Sequence, residues 1–291
     1  MVKAIGERGG YAEDRAAALC AAPGGCAFLL VLREAWVSAE LASDPALALA
    51  AAAIGMNTVT VWRSDHARIV QAVLAEGPGL VAMAREILAQ PQTGWWFGPL
   101  DRAAQLWISR RGEPPVPEQL AVPHAPPDAW ERYAQKPAGG LFTSTLVAGS
   151  SAVLAALAHG TGDYHVALPL VLYRLVASPS ARVFEVTGPE AWYRLCTSYP
   201  ARGEDGRLVP DWSRVAQDWD GVHLTFGGLL AVEQVRVDTT AGWTELWGWD
   251  FEQTVWLRWS FTAVTRLPDL HAYPVSPVDL RRPLRLVDLS P

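Results

Sequence analysis

The first hundred residues carry apolar side chains at helical spacing. The clearest case is an apolar stripe made of Leu80, Met83, Ala84, Ile87 and Leu88. Its members recur every three or four positions, as on one face of a helix, and a glycine before it and a proline after it mark its ends. The surrounding segment is rich in alanine. The pattern therefore predicts a mainly helical region over residues 1–100.

The pattern changes near residue 100. Residues 114–127 contain six prolines, which excludes a helix or a central strand, so this segment is a loop or a boundary. Beyond it, 139–147 and 181–186 have the character of short strands, whereas 149–160 has a serine cap and a glycine stop typical of a helix. We predict an α+β domain with a mostly antiparallel sheet over residues 101–291.

The remaining elements of this domain alternate between the two types. The sequence predicts helices at 188–200 and 209–220 and strands at 165–177, 221–226 and 242–261.

The last of these strands has an unusual composition. Five of the fourteen tryptophans fall between Gly242 and Phe261, and from Trp247 onward apolar and polar positions alternate. A period of two is the signal of a half-buried strand. We expect Asp250 and Glu252 to share its polar face, about 7 Å apart. That face is either simply solvated or an acid pair directed into a cleft, and the spacing leaves both interpretations open.

Charge and composition narrow the function classes. Half of the residues are hydrophobic and 19% are charged, which is typical of a globular protein. The net charge of −6 argues against a broad nucleic-acid surface or a surface for anionic membranes. Three cysteines without a CxxC pair favour free thiols over a metal or disulfide framework.

The sequence shows neither a run of apolar residues long enough to span a membrane nor a signal-peptide pattern. The longest uncharged apolar runs, 27–32 and 46–56, are shorter than the roughly 18–20 residues that span a bilayer. The first ten residues do not resemble a signal peptide. We expect a cytoplasmic protein without a membrane partner, and secretion by a route without a signal stays open.

Three short motifs follow one another between residues 104 and 259. The segment QLWISRRG offers Arg110, with Arg111 as the alternative; GGLFTSTLV offers a Thr-Ser-Thr triplet; WDFEQTVWL offers the two carboxylates. Their order and separation resemble the ADP-ribosyltransferase family, in which an Arg or His strand, a Ser-Thr-Ser strand and a Glu-x-Glu or Gln-x-Glu strand follow in this order. With Arg110 as the candidate, the first motif lacks a clear Arg-Gly or His-Gly ending, and the third opens with Asp.

The resemblance implies an α+β fold, NAD as the substrate and no metal. Glu252 would be the catalytic glutamate, which stabilises the positive charge on the ribose, and Asp250 would position or deprotonate an acceptor. Arg110 would bind the pyrophosphate or a ribose hydroxyl. The acceptor would be an unidentified protein or small molecule, or water in the case of NAD hydrolysis.

The same resemblance implies supporting roles for several other side chains. The hydroxyls of the triplet would hold the glutamate or the nicotinamide ribose, and strand alternation favours Ser144 over Thr143 and Thr145. An aromatic wall for nicotinamide would come from Tyr173 or Trp256.

A non-catalytic interpretation competes with this one. The protein could be an interaction module that binds a protein partner through a Trp-rich surface. Convergence of Arg110, Ser144 and Glu252 in a cleft would favour the enzyme, and a flat tryptophan patch would favour the module. His223, on a predicted strand, is interpreted as a core or rim histidine. Zinc-protease, serine-hydrolase, P-loop and Rossmann motifs do not occur in the sequence.

Overall fold

The computed structural model describes residues 10–59, 65–109, 112–125, 135–159, 167–203, 205–240, 242–273 and 280. It confirms the predicted α+β class. The α-helices are α1 (Gly10–Ala21), α2 (Pro23–Glu34), α3 (Ala39–Ala42), α4 (Pro45–Thr58), α5 (His66–Leu88), α6 (Ala152–His159), α7 (Pro189–Ser198), α8 (Trp212–Asp218) and α9 (Phe226–Val232). Short 3-10 helices lie at Pro91–Phe97 and Pro117–Gln119.

Eleven strands are present in this part of the chain. They are β1 (Gln105–Ser109), β2 (Leu141–Thr145), β3 (Val171–Ala177), β4 (Val183–Val186), β5 (Pro200–Arg202), β6 (Leu208–Pro210), β7 (Gly221–Leu224), β8 (Val237–Thr239), β9 (Gly242–Thr244), β10 (Gln253–Trp256) and β11 (Phe261–Arg266).

The N-terminal helices follow local sequence signals. Asp44 accepts a hydrogen bond from the main-chain N–H of Leu47 and Pro45 stands at the first position of α4, which is a favourable helix start. In α5 the predicted stripe faces inward, with Leu80, Ala84 and Ile87 buried. Among the described helices, α5 is by itself long and apolar enough to cross a membrane, a test that core helices of soluble proteins also pass.

The main sheet has seven strands in the order β11-β3-β1-β2-β10-β7-β4. All neighbours in it are antiparallel except β4 and β7, which confirms the mostly antiparallel prediction. The strands that carry the Thr-Ser-Thr triplet and the predicted carboxylate motif, β2 and β10, are direct neighbours, and β1 lies on the other side of β2. Two-stranded sheets β5-β6 and β8-β9 lie outside the main sheet.

The prediction of one long strand through the tryptophan-rich segment is wrong. β9 ends at Thr244, β10 begins only at Gln253, and Asp250 between them has a left-handed φ of 59°, which does not continue a strand. All four residues of β10 are also buried, so side chains on both faces of this strand are covered by other parts of the protein. The alternation in sequence therefore did not correspond to one solvated face.

The strand predicted at 221–226 ends two residues early. The side chain of Thr225 accepts a hydrogen bond from the N–H of Gly228 and starts α9, a helix that the sequence pattern did not reveal. Every residue of α9 is buried.

α9 joins the two halves of the chain. The ring of Phe226 lies 6.1 Å from Phe28 and 5.1 Å from Trp96, both in the N-terminal region. A Cβ on Gly227 would lie 2.4 Å from the ring of Phe97, so any larger residue here would have to displace that ring. The predicted boundary at residue 100 thus crosses one continuous hydrophobic core, and the division into domains stays a prediction.

Candidate functional site

Glu252 is a buried carboxylate with many hydrogen-bond donors. It is 3% exposed. Its Oε2 accepts from the Ser144 hydroxyl at 2.8 Å, its Oε1 accepts from the Thr145 hydroxyl at 2.8 Å, and the main-chain N–H of Thr145 reaches both oxygens at 3.0 and 3.2 Å. Such bonds hold a carboxylate in one orientation.

The sheet register explains why this carboxylate meets the triplet. Thr254 on β10 pairs with Thr143 on β2, so the same register places Glu252 opposite Thr145. β10 begins only at Gln253, and the N–H of Thr145 is bound by the carboxylate of Glu252. Because Glu252 lies at this strand end, the hydroxyls of both Ser144 and Thr145 reach it, although alternation directs them to opposite faces.

His223 completes the cluster from the neighbouring strand. It pairs with Thr254 across β7 and β10, and its Nε2 lies 3.1 Å from Oε1 of Glu252. Its Nδ1 lies 2.5 Å from Oε2 of Glu185, which pairs with His223 from β4. Glu185 in turn accepts from the main-chain N–H of Leu100 at 3.0 Å. Since both ring nitrogens face carboxylates, both act as donors and the ring carries a positive charge.

The pKa of His223 reflects this environment. Burial lowers the pKa of the imidazole, but the hydrogen bonds and negative charges of Glu185 and Glu252 outweigh burial and raise it to about 9. The two carboxylates therefore share one buried cation at neutral pH.

A cavity of about 270 Å³ opens beside this cluster. Glu252, His223 and Thr145 form one part of its wall, and the aromatic side chains of Trp95 and Phe226 form another. The buried indole N–H of Trp95 has no hydrogen-bond partner among the described residues. The cavity thus combines a fixed carboxylate, an imidazolium and an aromatic surface, which suits a flat or positively charged group.

Thr143 and Trp256 do not take the predicted roles. Trp256 is fully buried, and its indole N–H donates to the Thr143 hydroxyl at 2.9 Å. That hydroxyl donates to Oε1 of Gln105 at 2.6 Å. Trp256 therefore belongs to the core and offers no wall to a ligand, and the Thr143 hydroxyl binds Gln105 and Trp256 rather than Glu252. An aromatic side chain beside Glu252 comes instead from the N-terminal region, where Trp95 lines the cavity.

Tyr173 is likewise a structural residue. It is 5% exposed, its ring lies 5.9 Å from that of Trp107, and its hydroxyl donates to the carbonyl oxygen of Gly112. Arg110 and its alternative Arg111 lie outside the described residues.

Asp250 belongs to a different cluster from Glu252. Its Oδ2 lies 3.8 Å from Nζ of Lys136. Burial, and next the charge of Asp250, raise the pKa of the nearby Glu233 to about 8, and burial lowers the pKa of Lys136. The expectation that Asp250 and Glu252 act as one acid pair is therefore wrong, because the left-handed residue Asp250 turns the chain before β10 begins.

The sequence analysis did not predict that His223 and Glu185 join Glu252 in one cluster. A signal was present, since each is a polar residue inside a short apolar strand, in GVHLTF and ARVFEV. Their convergence depends on the pairing of β4, β7 and β10, which the sequence pattern alone did not show. Among the described residues there is no group of three or more His, Cys, Asp or Glu side chains arranged to hold a metal ion.

Comparisons with known proteins give no match for this chain, whether to a protein-family model, to a curated protein or to a solved structure.

Proposed function

We propose that the protein cleaves the bond between nicotinamide and ribose in NAD and transfers ADP-ribose to an acceptor or to water. The observation that carries this proposal is the hydrogen bonding of Ser144 and Thr145 to Glu252. The resemblance implied that the triplet holds either the catalytic glutamate or the nicotinamide ribose, and these hydrogen bonds support the first role. The bonded residues lie 107 and 108 positions apart in the chain.

The geometry supports the chemistry that this reaction needs. Loss of nicotinamide passes through a transition state with positive charge on the ribose, and a fixed carboxylate in a dry cavity stabilises such charge strongly. Glu252 is fixed by donors from β2 and by His223, so little reorganisation would be needed as charge develops. A ribose hydroxyl would take the place of one hydroxyl donor on the carboxylate.

The cavity suits one end of the dinucleotide. Its volume of about 270 Å³ is close to the lower end of ligand pockets, roughly 300–1,000 Å³, so only the nicotinamide riboside end would enter. Trp95 offers a face for the pyridinium ring, and a cationic ring on an aromatic face is favourable. The predicted contact of Arg110 with the pyrophosphate stays a prediction.

The burial of the tryptophans weighs against the interaction module. In the tryptophan-rich segment Trp249 and Trp256 are fully buried, and the other three indoles are half-buried. A flat, exposed indole surface, which that alternative needs, is not found on these residues.

The test is NAD binding by calorimetry together with an assay of released nicotinamide. Glu252→Gln keeps the shape of the side chain and removes its charge, so we expect turnover to fall at least 100-fold. Glu233→Gln is the matched control, because Glu233 has the same 3% exposure as Glu252 but does not line the cavity, and it should keep turnover within a few-fold.

Two results would contradict the proposal. One is intact protein that neither binds NAD nor releases nicotinamide. The other is nicotinamide release that Glu252→Gln and Glu233→Gln reduce equally, since the loss would then reflect stability rather than the role of Glu252.

A further inference from the structure

A second cavity lies where the main sheet splits. Its volume is about 380 Å³, and its wall includes residues of β1, β2 and α6. β1 and β2 pair only at Gln105↔Thr145 and Leu106↔Ser144. β1 nevertheless continues to Ser109, paired with β3, and β2 begins at Leu141, paired with β10. The two strands therefore separate into a wedge, and the cavity occupies it.

Main-chain polar groups point into this wedge. The N–H of Leu146 donates to the carbonyl of Ala104 at 2.7 Å, which makes these two residues a hydrogen-bonded pair of the antiparallel ladder. Such pairs recur at every second residue, so the third in the series would join Ile108 and Phe142. The pairing between β1 and β2 ends at Leu106 and Ser144, before Ile108 and Phe142 are reached. Ile108 and Phe142 both line the cavity, each with one N–H and one C=O directed toward the gap.

The rest of the described wall is uncharged and, apart from Gln119, Thr143 and Ser144, apolar. α6 contributes Val153, Ala156 and Leu157, and Phe251 adds an aromatic ring. None of the described lining residues carries a charge. The hydroxyls of Thr143 and Ser144, which also line the cavity, are already engaged as donors to Gln105 and Glu252. An ionic ligand would lose its hydration here without a charged partner.

We propose that this wedge binds a small uncharged molecule that contains an N-acylated apolar amino-acid unit. The N–H and C=O of such a unit match the C=O and N–H that a strand residue offers at a hydrogen-bonded position. Its apolar side chain and acyl group would fill the space above α6. The volume lies in the range of small-molecule pockets, and the paired residues Leu106 and Ser144 close one end of the wedge, so a small molecule fits better than a strand that runs through it.

This site is separate from the proposed NAD chemistry and does not depend on it. Ser144 lies between the two, because it lines this cavity and its hydroxyl binds Glu252. The binding test below has its own readout, so its failure leaves the proposed function untouched.

The experiment compares two ligands that differ in one group. N-octanoyl-leucine methylamide and its ester analogue, in which oxygen replaces the leucine N–H, are titrated into the full chain by calorimetry. We expect saturable binding of the amide, and binding of the ester about three- to tenfold weaker, because one main-chain hydrogen bond is lost. The same acylated unit also occurs in peptide chains, so a blocked tripeptide is titrated as a third ligand. Tighter binding of the tripeptide than of the amide would assign the wedge to peptide chains and overturn the small-molecule proposal.

Two variants locate the site on α6. Ala156→Leu places extra volume in the cavity and should weaken amide binding at least tenfold. Ala158→Leu is its matched control, because Ala158 lies on the same helix and does not line the cavity, and it should leave binding unchanged. Absence of amide binding, or equal binding of amide and ester, would overturn the proposal. The ligand comparison holds even where Ala156→Leu fails to fold.

Discussion

At the scale of single residues, the candidate site depends on the balance of buried charges between Glu252, His223 and Glu185. A buried carboxylate persists as an ion only when cations and hydrogen-bond donors replace its water. Here a protonated His223 lies between Glu252 and Glu185, and hydroxyl and N–H groups of β2 supply the remaining bonds. Removing one member of such a group leaves the others uncompensated, so these residues are expected to depend strongly on one another.

The pH dependence of stability should report the protonation of His223. Its folded-state pKa, about 9, lies above the ordinary value of 6.5. Its contribution to stability is therefore fully present below pH 6.5 and is lost as pH rises through 9. We expect the free energy of unfolding in urea to fall by roughly 3 kcal/mol more between pH 6.5 and 10 in the wild type than in His223→Asn. The comparison with the variant is needed because Glu233, whose pKa is raised to about 8, loses its proton in the same range in both proteins.

His124→Asn serves as the control for this measurement, because the side chain of His124 is exposed and its Nδ1 lies 2.9 Å from the main-chain carbonyl oxygen of the nearby Val122. It should keep the wild-type pH profile. Equal pH profiles of the wild type and His223→Asn would contradict a protonated His223 in the folded protein.

At the scale of elements, close helix packing in the N-terminal half depends on glycine. A Cβ on Gly77 of α5 would lie 2.1 Å from the carbonyl oxygen of Cys20, whereas a Cβ on Gly79 of the same helix would meet nothing within 4 Å. Gly77→Ala must therefore push α5 away from α1, since the obstacle is main chain and cannot rotate aside.

These two glycines form a matched pair for thermal unfolding. Gly77→Ala should lower the free energy of unfolding by about 1–3 kcal/mol through overpacking. Gly79→Ala should raise it by up to about 1 kcal/mol, because alanine has the higher helix propensity. Equal effects of the two substitutions would contradict the packing between α1 and α5.

How far the sequence predicts an element depends on whether its signal is local. The stripe from Leu80 to Leu88 has the helical period, and α5 contains it. The predicted start at the preceding glycine is wrong, because α5 begins at His66 and continues through Pro78. Residues 183–186 form the predicted strand, because a short apolar run needs no special pairing to be recognised. By contrast, α9 consists of apolar and glycine residues without a polar face, so its buried position in the tertiary structure decides its form.

The candidate site shows the same limit. Ser144, Thr145 and Glu252 were predicted as a group through the motif order, and the structure brings them together. Asp250 was assigned to this group by counting alternate positions, and one left-handed residue made that count invalid. His223 and Glu185 depend on pairing between strands far apart in the chain, which no local pattern encodes.

At the scale of the whole molecule, the shared core predicts that the second half depends on the first. Phe226, Leu229, Leu230 and Val232 of α9 are buried, and Phe226 packs on Phe28 and Trp96. Burial of side chains this large contributes roughly 1.5–3 kcal/mol each. For four of them the sum is comparable to the entire stability of a typical domain, about 5–15 kcal/mol.

A fragment of residues 101–291 should therefore fail to fold by itself. Without the N-terminal helices α9 would face water, and Trp95 would be missing from the cavity beside Glu252. We expect no cooperative urea transition and no near-ultraviolet circular dichroism of ordered tryptophans from this fragment. Co-expression with residues 1–100 is the control, because it restores the partner surface without restoring the chain connection, and it should recover both signals. A fragment that unfolds cooperatively without its partner would instead establish residues 101–291 as an independent domain, and the helical half would then be free to act as a separate module.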